Sequence, residues 1–238
     1  MLNLHAREAI GVVLKPLATL VAKSRITPDA ITVIGTTGTV VAALTLLRSG
    51  NFFVGTLVVT FFVLTDMLDG ALARARGGGS TWGAFLDSTM DRLGDAAIFG
   101  ALILWFAGDG GQQVLAAVAL FCLVTGAVTS YVKARAESLG LTANVGFAER
   151  AERLIIVLVG TGLDGLGLPY VLAVGLWGLA LVTAFTIVQR MIEVRRQLIE
   201  LGQLDKSAMA EFAARAKERS RERVREREQA RSRARASR

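Results

Sequence analysis

Between residues 29 and 190 the chain reads as long apolar runs separated by short breaks of glycine and small polar residues. A hydrocarbon core of about 30 Å takes about 20 helical residues to cross. Runs at 29–48, 52–75, 82–107, 112–137, 148–166 and 168–190 are of that order, and they predict six transmembrane helices. The breaks fall at Ser49-Gly50-Asn51, at Gly77-Gly78-Gly79-Ser80, at Gly108-Asp109-Gly110-Gly111, from Gly140 to Gly146, and around Gly165 to Pro169. Such compositions suit turns. Little polar sequence separates the last two runs. Thr27, Pro28 and Asp29 form a helix start, with a capping hydroxyl, a proline at the first helical position and an acid in the first turn.

Residues 1–25 follow a different pattern. Ile10, Val13, Leu14, Leu17 and Val21 recur at steps of three and four, while Arg7, Lys15 and Lys23 lie off that stripe. This predicts an amphipathic helix in the headgroup plane. Lys15 and Pro16 interrupt the apolar run, and no small-residue cleavage site follows, which argues against a signal peptide. The expected organisation is therefore an interfacial helix over 1–25, a membrane domain over 26–200 and a tail over 201–238. The fold class is all-α, a polytopic bundle of six spans.

Composition agrees with a membrane class: 53% of residues are hydrophobic, only three are proline and mean hydropathy is +0.49. Lys and Arg collect before the first run, at 74–76, at Lys133 and Arg135, at Arg150 and Arg153, and after Arg190, whereas the alternate loops carry almost none apart from Arg48. By the positive-inside rule both termini face the cytoplasm of a cell-membrane protein. Of the net charge of +7, about six units come from residues 205–238, with twelve Lys or Arg against six Asp or Glu. Such a tail, helical or disordered, attracts anionic lipid. Without interleaved aromatics it does not read as a nucleic-acid binder.

Against this background the acids of DMLDGALARARGGGSTWGAFLDSTMD, residues 66–91, stand out. A carboxylate at the centre of a membrane helix costs about 2.5–3.5 kcal/mol on the lenient insertion scale, so Asp66, Asp69, Asp87 and Asp91 require a ligand or a watery cavity. Spacings of three and four put each pair on one helix face. If the helices run antiparallel about the glycine turn, the two pairs meet as a four-carboxylate cage. Hard oxygen donors suit Mg²⁺ or Mn²⁺ rather than zinc, and the lone His5 and Cys122 are far off in sequence. Two divalent ions would neutralise the four charges. A two-metal site implies phosphoryl chemistry. Asp95 extends the same face by another turn and reads as a structural partner. Gly70 and Gly83 serve either close helix packing or close approach of a pyrophosphate to the backbone, and Ser80 or Thr81 opens a helix whose free N–H groups suit an anion.

The run resembles the signature of the CDP-alcohol phosphotransferase family, DxxDGxxARx₈GxxxDxxxD, at Asp66, Asp69, Gly70, Ala73, Arg74, Gly83, Asp87 and Asp91. Enzymes of that family are integral membrane proteins that displace CMP from a CDP-linked lipid with an alcohol. The resemblance implies that Asp66, Asp69 and Asp87 bind metal, that Asp91 completes the site, and that Asp91 takes the proton of the attacking hydroxyl. It also implies a homodimer. The stretch Thr27-Pro28-Asp29-Ala30-Ile31-Thr32 resembles the family's PNxxT element near the nucleotide, with Asp29 where Asn is common and Thr32 matching. Residues implied to line the CDP-diacylglycerol site are Asp29, Thr32, Asp69, Gly70, Arg74, Thr81 and Gly83.

A second cluster is basic. Lys133, Arg150, Arg153 and Arg190 all fall near cytoplasmic ends of runs. Singly, each could be an anchor at the headgroups. Together they suggest an anion, which Arg binds through a fork of donors and Lys as a point charge. The segment KARAESLGLTANVGFAERAERLIIVL, residues 133–158, is similar to that of actinobacterial family members whose acceptor is inositol phosphate. The implied partners are CDP-diacylglycerol, inositol phosphate and membrane lipids. Glycerol phosphate could use a similar pocket. From other classes, a divalent cation transporter also needs buried acids, and an inert anchor for the basic tail would need none.

Overall fold

A computed structural model describes residues 27–75, 80–147, 149–202 and 217, with residues 67–75 described by backbone alone. Six helices account for nearly all of them: α1 (Pro28–Ala42), α2 (Phe52–Ala75), α3 (Thr81–Ala107), α4 (Gln113–Ser138), α5 (Arg150–Gly165) and α6 (Val171–Glu200). Among the described residues there is no strand, so the all-helical class stands. The expected helix over 1–25 and nearly all of the 201–238 tail lie outside the described residues.

The local signals act as their chemistry dictates. Thr27 caps α1, its hydroxyl accepting from the Ala30 N–H at 3.3 Å, and Pro28 takes the first turn, where its missing N–H costs nothing. Past Ala42 the helix widens into a π-helical turn over Ala43–Leu47. Ser80 caps α3 by accepting from the Gly83 N–H at 2.9 Å. At α5, the Glu152 carboxylate accepts from the Glu149 N–H at 3.2 Å, closing a capping box. The breaks between helices match those read from the sequence. The last helix differs most from its expected run, because it continues ten residues past 190 to Glu200.

Among the described residues, three helices are long and apolar enough to cross a membrane: Pro28–Leu47, Gln113–Ser138 and Val171–Glu200. α3 and α5 depart from that standard for visible reasons, and the described side chains of α2 form an apolar stretch over Phe52–Asp66. α3 carries Asp87, Asp91, Arg92 and Asp95, and α5 has 16 residues with Arg150, Glu152, Arg153 and Asp164 among them. Large apolar side chains face outward on most helices, among them Ile34, Phe61, Val114, Trp177 and Leu181, the last 71% exposed. In water such a surface would be a liability; against lipid it is the expected outer face.

The chain divides into two units, Met1–Tyr131 with Gly146–Val188, and Val132–Val145 with Gln189–Arg238. In the first, α1 packs against both α2 and α3, and α2 packs against α5. Its apolar centre includes Leu47, Val59, Ile98, Phe99, Leu102, Val157, Leu172 and Leu176. Lipid tails are as apolar as leucine, so close approach rather than water exclusion must hold such helices together. Glycine supplies it between α1 and α2. A Cβ on Gly35 would stand 3.1 Å from the Asp66 Cβ, and one on Gly38 would enter the Phe62 ring. Polar threonines link α4 to α6, where the Thr125 and Thr183 hydroxyls meet at 2.9 Å while each also binds its own helix carbonyls. In the second unit, Gln197 holds both the N–H and the carbonyl of Thr142, at 2.9 and 2.7 Å. Ala136, Leu141 and Ala143 form the small core there.

Candidate active site

The expected carboxylate cage is present for the three acids whose side chains are described. Asp66 on α2 and Asp87 and Asp91 on α3 each bring one carboxylate oxygen to within 4.8 Å of the others. α1 touches both carrier helices, and its Gly35 allows α2 to come close at the level of Asp66. Asp66 is buried, Asp91 half-buried and Asp87 exposed, so the cluster opens on one side. Asp69, Gly70 and Arg74 stand on the helical backbone of α2, but their side-chain positions lie outside the described residues.

The donor set is all carboxylate oxygen, hard and anionic, and fits an alkaline-earth or manganese ion rather than a thiophilic metal. Among the described residues, two cations face it. Arg150 Nη1 lies 2.6 Å from Asp91 Oδ1, and Arg92 Nη2 lies 3.8 Å from Asp91 Oδ2 while its Nη1 donates to the Ser130 hydroxyl. Three carboxylates against two guanidiniums leave net negative charge among the described side chains, and a divalent cation is its natural complement.

Behind the cluster lies a buried ion network. Asp95, a turn beyond Asp91, accepts from Arg150 Nε at 3.1 Å and from Arg153 Nη2 at 2.9 Å. Asp95 is thus a structural partner, as its position outside the motif suggested. Arg153 is 2% exposed and lies along Gly126, where a Cβ would stand 3.0 Å from its Nε. Arg150 and Arg153 both occupy the first turn of α5, where the helix dipole disfavours cations. The carboxylates of α3 offset that penalty.

Asp29 and Gly83 come together, with a Cβ on Gly83 placed 3.6 Å from Asp29 Oδ1. Thr32 is buried and donates to the Pro28 carbonyl at 3.2 Å, and Thr81 is exposed at the first position of α3. The Gly83 N–H at that helix start is already taken by Ser80. Lys133 and Arg190 belong to the second unit. Lys133 is half-buried there, and Arg190 is buried with its Nε donating to the Val145 carbonyl at 3.0 Å. Sequence reasoning missed Arg92, Ser130, Gly35 and Gly126. An arginine beside the last motif acid within an apolar helix was a signal in plain view; the other three need the helix packing to be known.

An all-helical membrane protein with a carboxylate cage for a divalent cation is the class that fold and site define. The chain belongs to the CDP-alcohol phosphatidyltransferase family, whose model matches residues 25–188. It is 46% identical over 221 residues to a phosphatidylinositol phosphate synthase from Streptomyces avermitilis, covering 90% of this chain and 89% of that one. It is 48% identical over 189 residues to the Mycobacterium tuberculosis synthase of the same name, covering 78% and 87%. The crystal structure of the M. tuberculosis synthase with CDP-DAG bound superposes with a TM-score of 0.73 at 48% identity, over 76% of this chain and 93% of that one. The same synthase in complex with manganese and citrate gives 0.72, over 76% and 88%.

Proposed function

We propose that this enzyme transfers the phosphatidyl group of CDP-diacylglycerol to inositol phosphate, giving phosphatidylinositol phosphate and CMP. The observation that carries the reading is the convergence of Asp66, Asp87 and Asp91 within 4.8 Å in a chain of this family. The acceptor is supported by the names of relatives that are 46–48% identical over most of their length.

Divalent ions, two Mg²⁺ or Mn²⁺, held by Asp66, Asp69, Asp87 and Asp91, supply positive charge for the diphosphate and its leaving group. Asp91 accepts the proton of the acceptor hydroxyl as its oxygen bonds to the β-phosphorus and the bond to CMP breaks. Asp29, Thr32, Asp69, Gly70, Arg74, Thr81 and Gly83 line the CDP-diacylglycerol site. The cations named from the sequence, Lys133, Arg150, Arg153 and Arg190, serve the acceptor phosphate. Holding the acceptor by that phosphate favours its hydroxyl over water in the attack. The architecture in the bilayer is six spans, with both termini and the active site cytoplasmic and two copies forming a homodimer.

The test is CMP release by purified protein with CDP-diacylglycerol and Mg²⁺, comparing inositol phosphate, inositol and glycerol phosphate, with Asp91→Asn as control. Release with inositol phosphate alone, lost in the variant, is the expected result. Release with glycerol phosphate instead would retain the catalytic site and overturn the acceptor. Release equal to the variant's with every acceptor would overturn the transferase reading.

A further inference from the structure

We infer that Arg150 is an internal counter-ion for Asp91 that a divalent cation has to displace, and that Asp95 is the positioning residue that takes it over. The inference rests on Asp66, Asp87 and Asp91 being metal ligands. One guanidinium bridges two acids of α3, with Nη1 2.6 Å from Asp91 Oδ1 and Nε 3.1 Å from Asp95 Oδ1. Four residues apart, these acids share a helix face, and only the first belongs to the converging cluster. A cation 2.6 Å from one oxygen of Asp91 neutralises part of its charge and repels an incoming metal ion.

What happens to Arg150 when the metal arrives depends on its second partner. Were Asp91 its only anion, leaving it would strand a half-buried charge, and such a charge is costly without a partner. Asp95 removes that penalty. It cannot follow Arg150 toward the metal, because Arg153 Nη2 holds its other oxygen at 2.9 Å. Arg153 is itself 2% exposed and packed along Gly126. The relay therefore has an anchored end at Arg153, a fixed carboxylate at Asp95 and a more exposed guanidinium at Arg150, whose side chain is 23% accessible. Among the described residues, Arg92, at 3.8 Å from Asp91, is the other cation at that carboxylate, and its Nη1 donates to the Ser130 hydroxyl.

The experiment is Mn²⁺ titration by calorimetry of the full-length protein without substrates, for the wild type, Arg150→Gln, Asp95→Asn, the double variant and Asp87→Asn. Arg150→Gln should bind Mn²⁺ more tightly than the wild type. Asp95→Asn, although not a ligand position, should weaken binding by about tenfold to a hundredfold, and adding Arg150→Gln to it should restore at least wild-type affinity. An Arg150→Gln variant no tighter than wild type, or a defect of Asp95→Asn that persists in the double variant, would overturn the inference. If Asp95→Asn does not fold, Arg150→Gln decides alone, since it leaves the Asp95–Arg153 pair in place. Absence of Mn²⁺ binding by the wild type would sink the metal reading and the inference together. Wild-type binding lost in Asp87→Asn but unchanged in Arg150→Gln would sink the inference only.

Discussion

Asp87 and Asp91 are chemically identical and one helical turn apart, yet their surroundings give them different work. Asp87 is exposed and faces no cation within ion-pair range among the described residues, whereas Asp91 is half-buried and held at 2.6 Å by Arg150. Replacing Asp91 by Asn should lower kcat for CMP release by about 10²–10⁴-fold, the range a positioned general base supplies. Replacing Asp87 by Asn should act mainly on the metal, so that raising Mg²⁺ recovers part of the rate. Steady-state rates over a metal titration distinguish the two: recovery of Asp91→Asn to wild-type rates by excess metal would refute the base assignment.

At the scale of elements, the site depends on how closely α1 lies against α2. A methyl group on Gly35 would sit 3.1 Å from the Asp66 Cβ and 3.3 Å from its backbone, and neither atom belongs to a flexible chain end. Gly35→Ala should therefore push the helices apart, cost about 1–3 kcal/mol as overpacking does, and weaken metal-dependent activity by moving Asp66. Gly94→Ala is the control. Among the described residues, its new methyl group would come no nearer than 3.7 Å to a neighbouring element, ordinary van der Waals contact. Alanine also favours a helix over glycine by about 1 kcal/mol. Thermal unfolding in detergent should show a loss for the first variant and none for the second.

For the whole molecule, a cation bound by the folded carboxylate cluster and not by the unfolded chain must raise stability by mass action. Millimolar Mg²⁺ or Mn²⁺ should raise Tm, a chelator should reverse the rise, and Asp87→Asn should flatten it. A shift of about 2.7 kcal/mol is expected at a hundredfold excess over Kd. Orientation can be read with cysteine labels, because Cys122 is the chain's only cysteine and is fully buried. An impermeant maleimide should label Ser207→Cys only from the cytoplasmic side and Ser49→Cys only from the other. The reverse pattern would overturn the topology drawn from the positive-inside rule.

Much of this protein was legible in one dimension. The bilayer imposes a length on every crossing helix, so the breaks between apolar runs marked the helix boundaries to within a few residues, except at Glu200. Acids are costly among such runs, so Asp66, Asp87 and Asp91 announced themselves by type and spacing, and the cap at Thr27 followed from local chemistry. Contacts between helices were not legible. That Arg150 would grip Asp91, that Asp95 would stand between two arginines, and that Gly35 and Gly126 would make room for them depends on which helix faces meet. Helix periodicity says which residues share a face; only packing says what that face touches, because a charge within a largely apolar bundle takes whatever partner tertiary structure brings within reach.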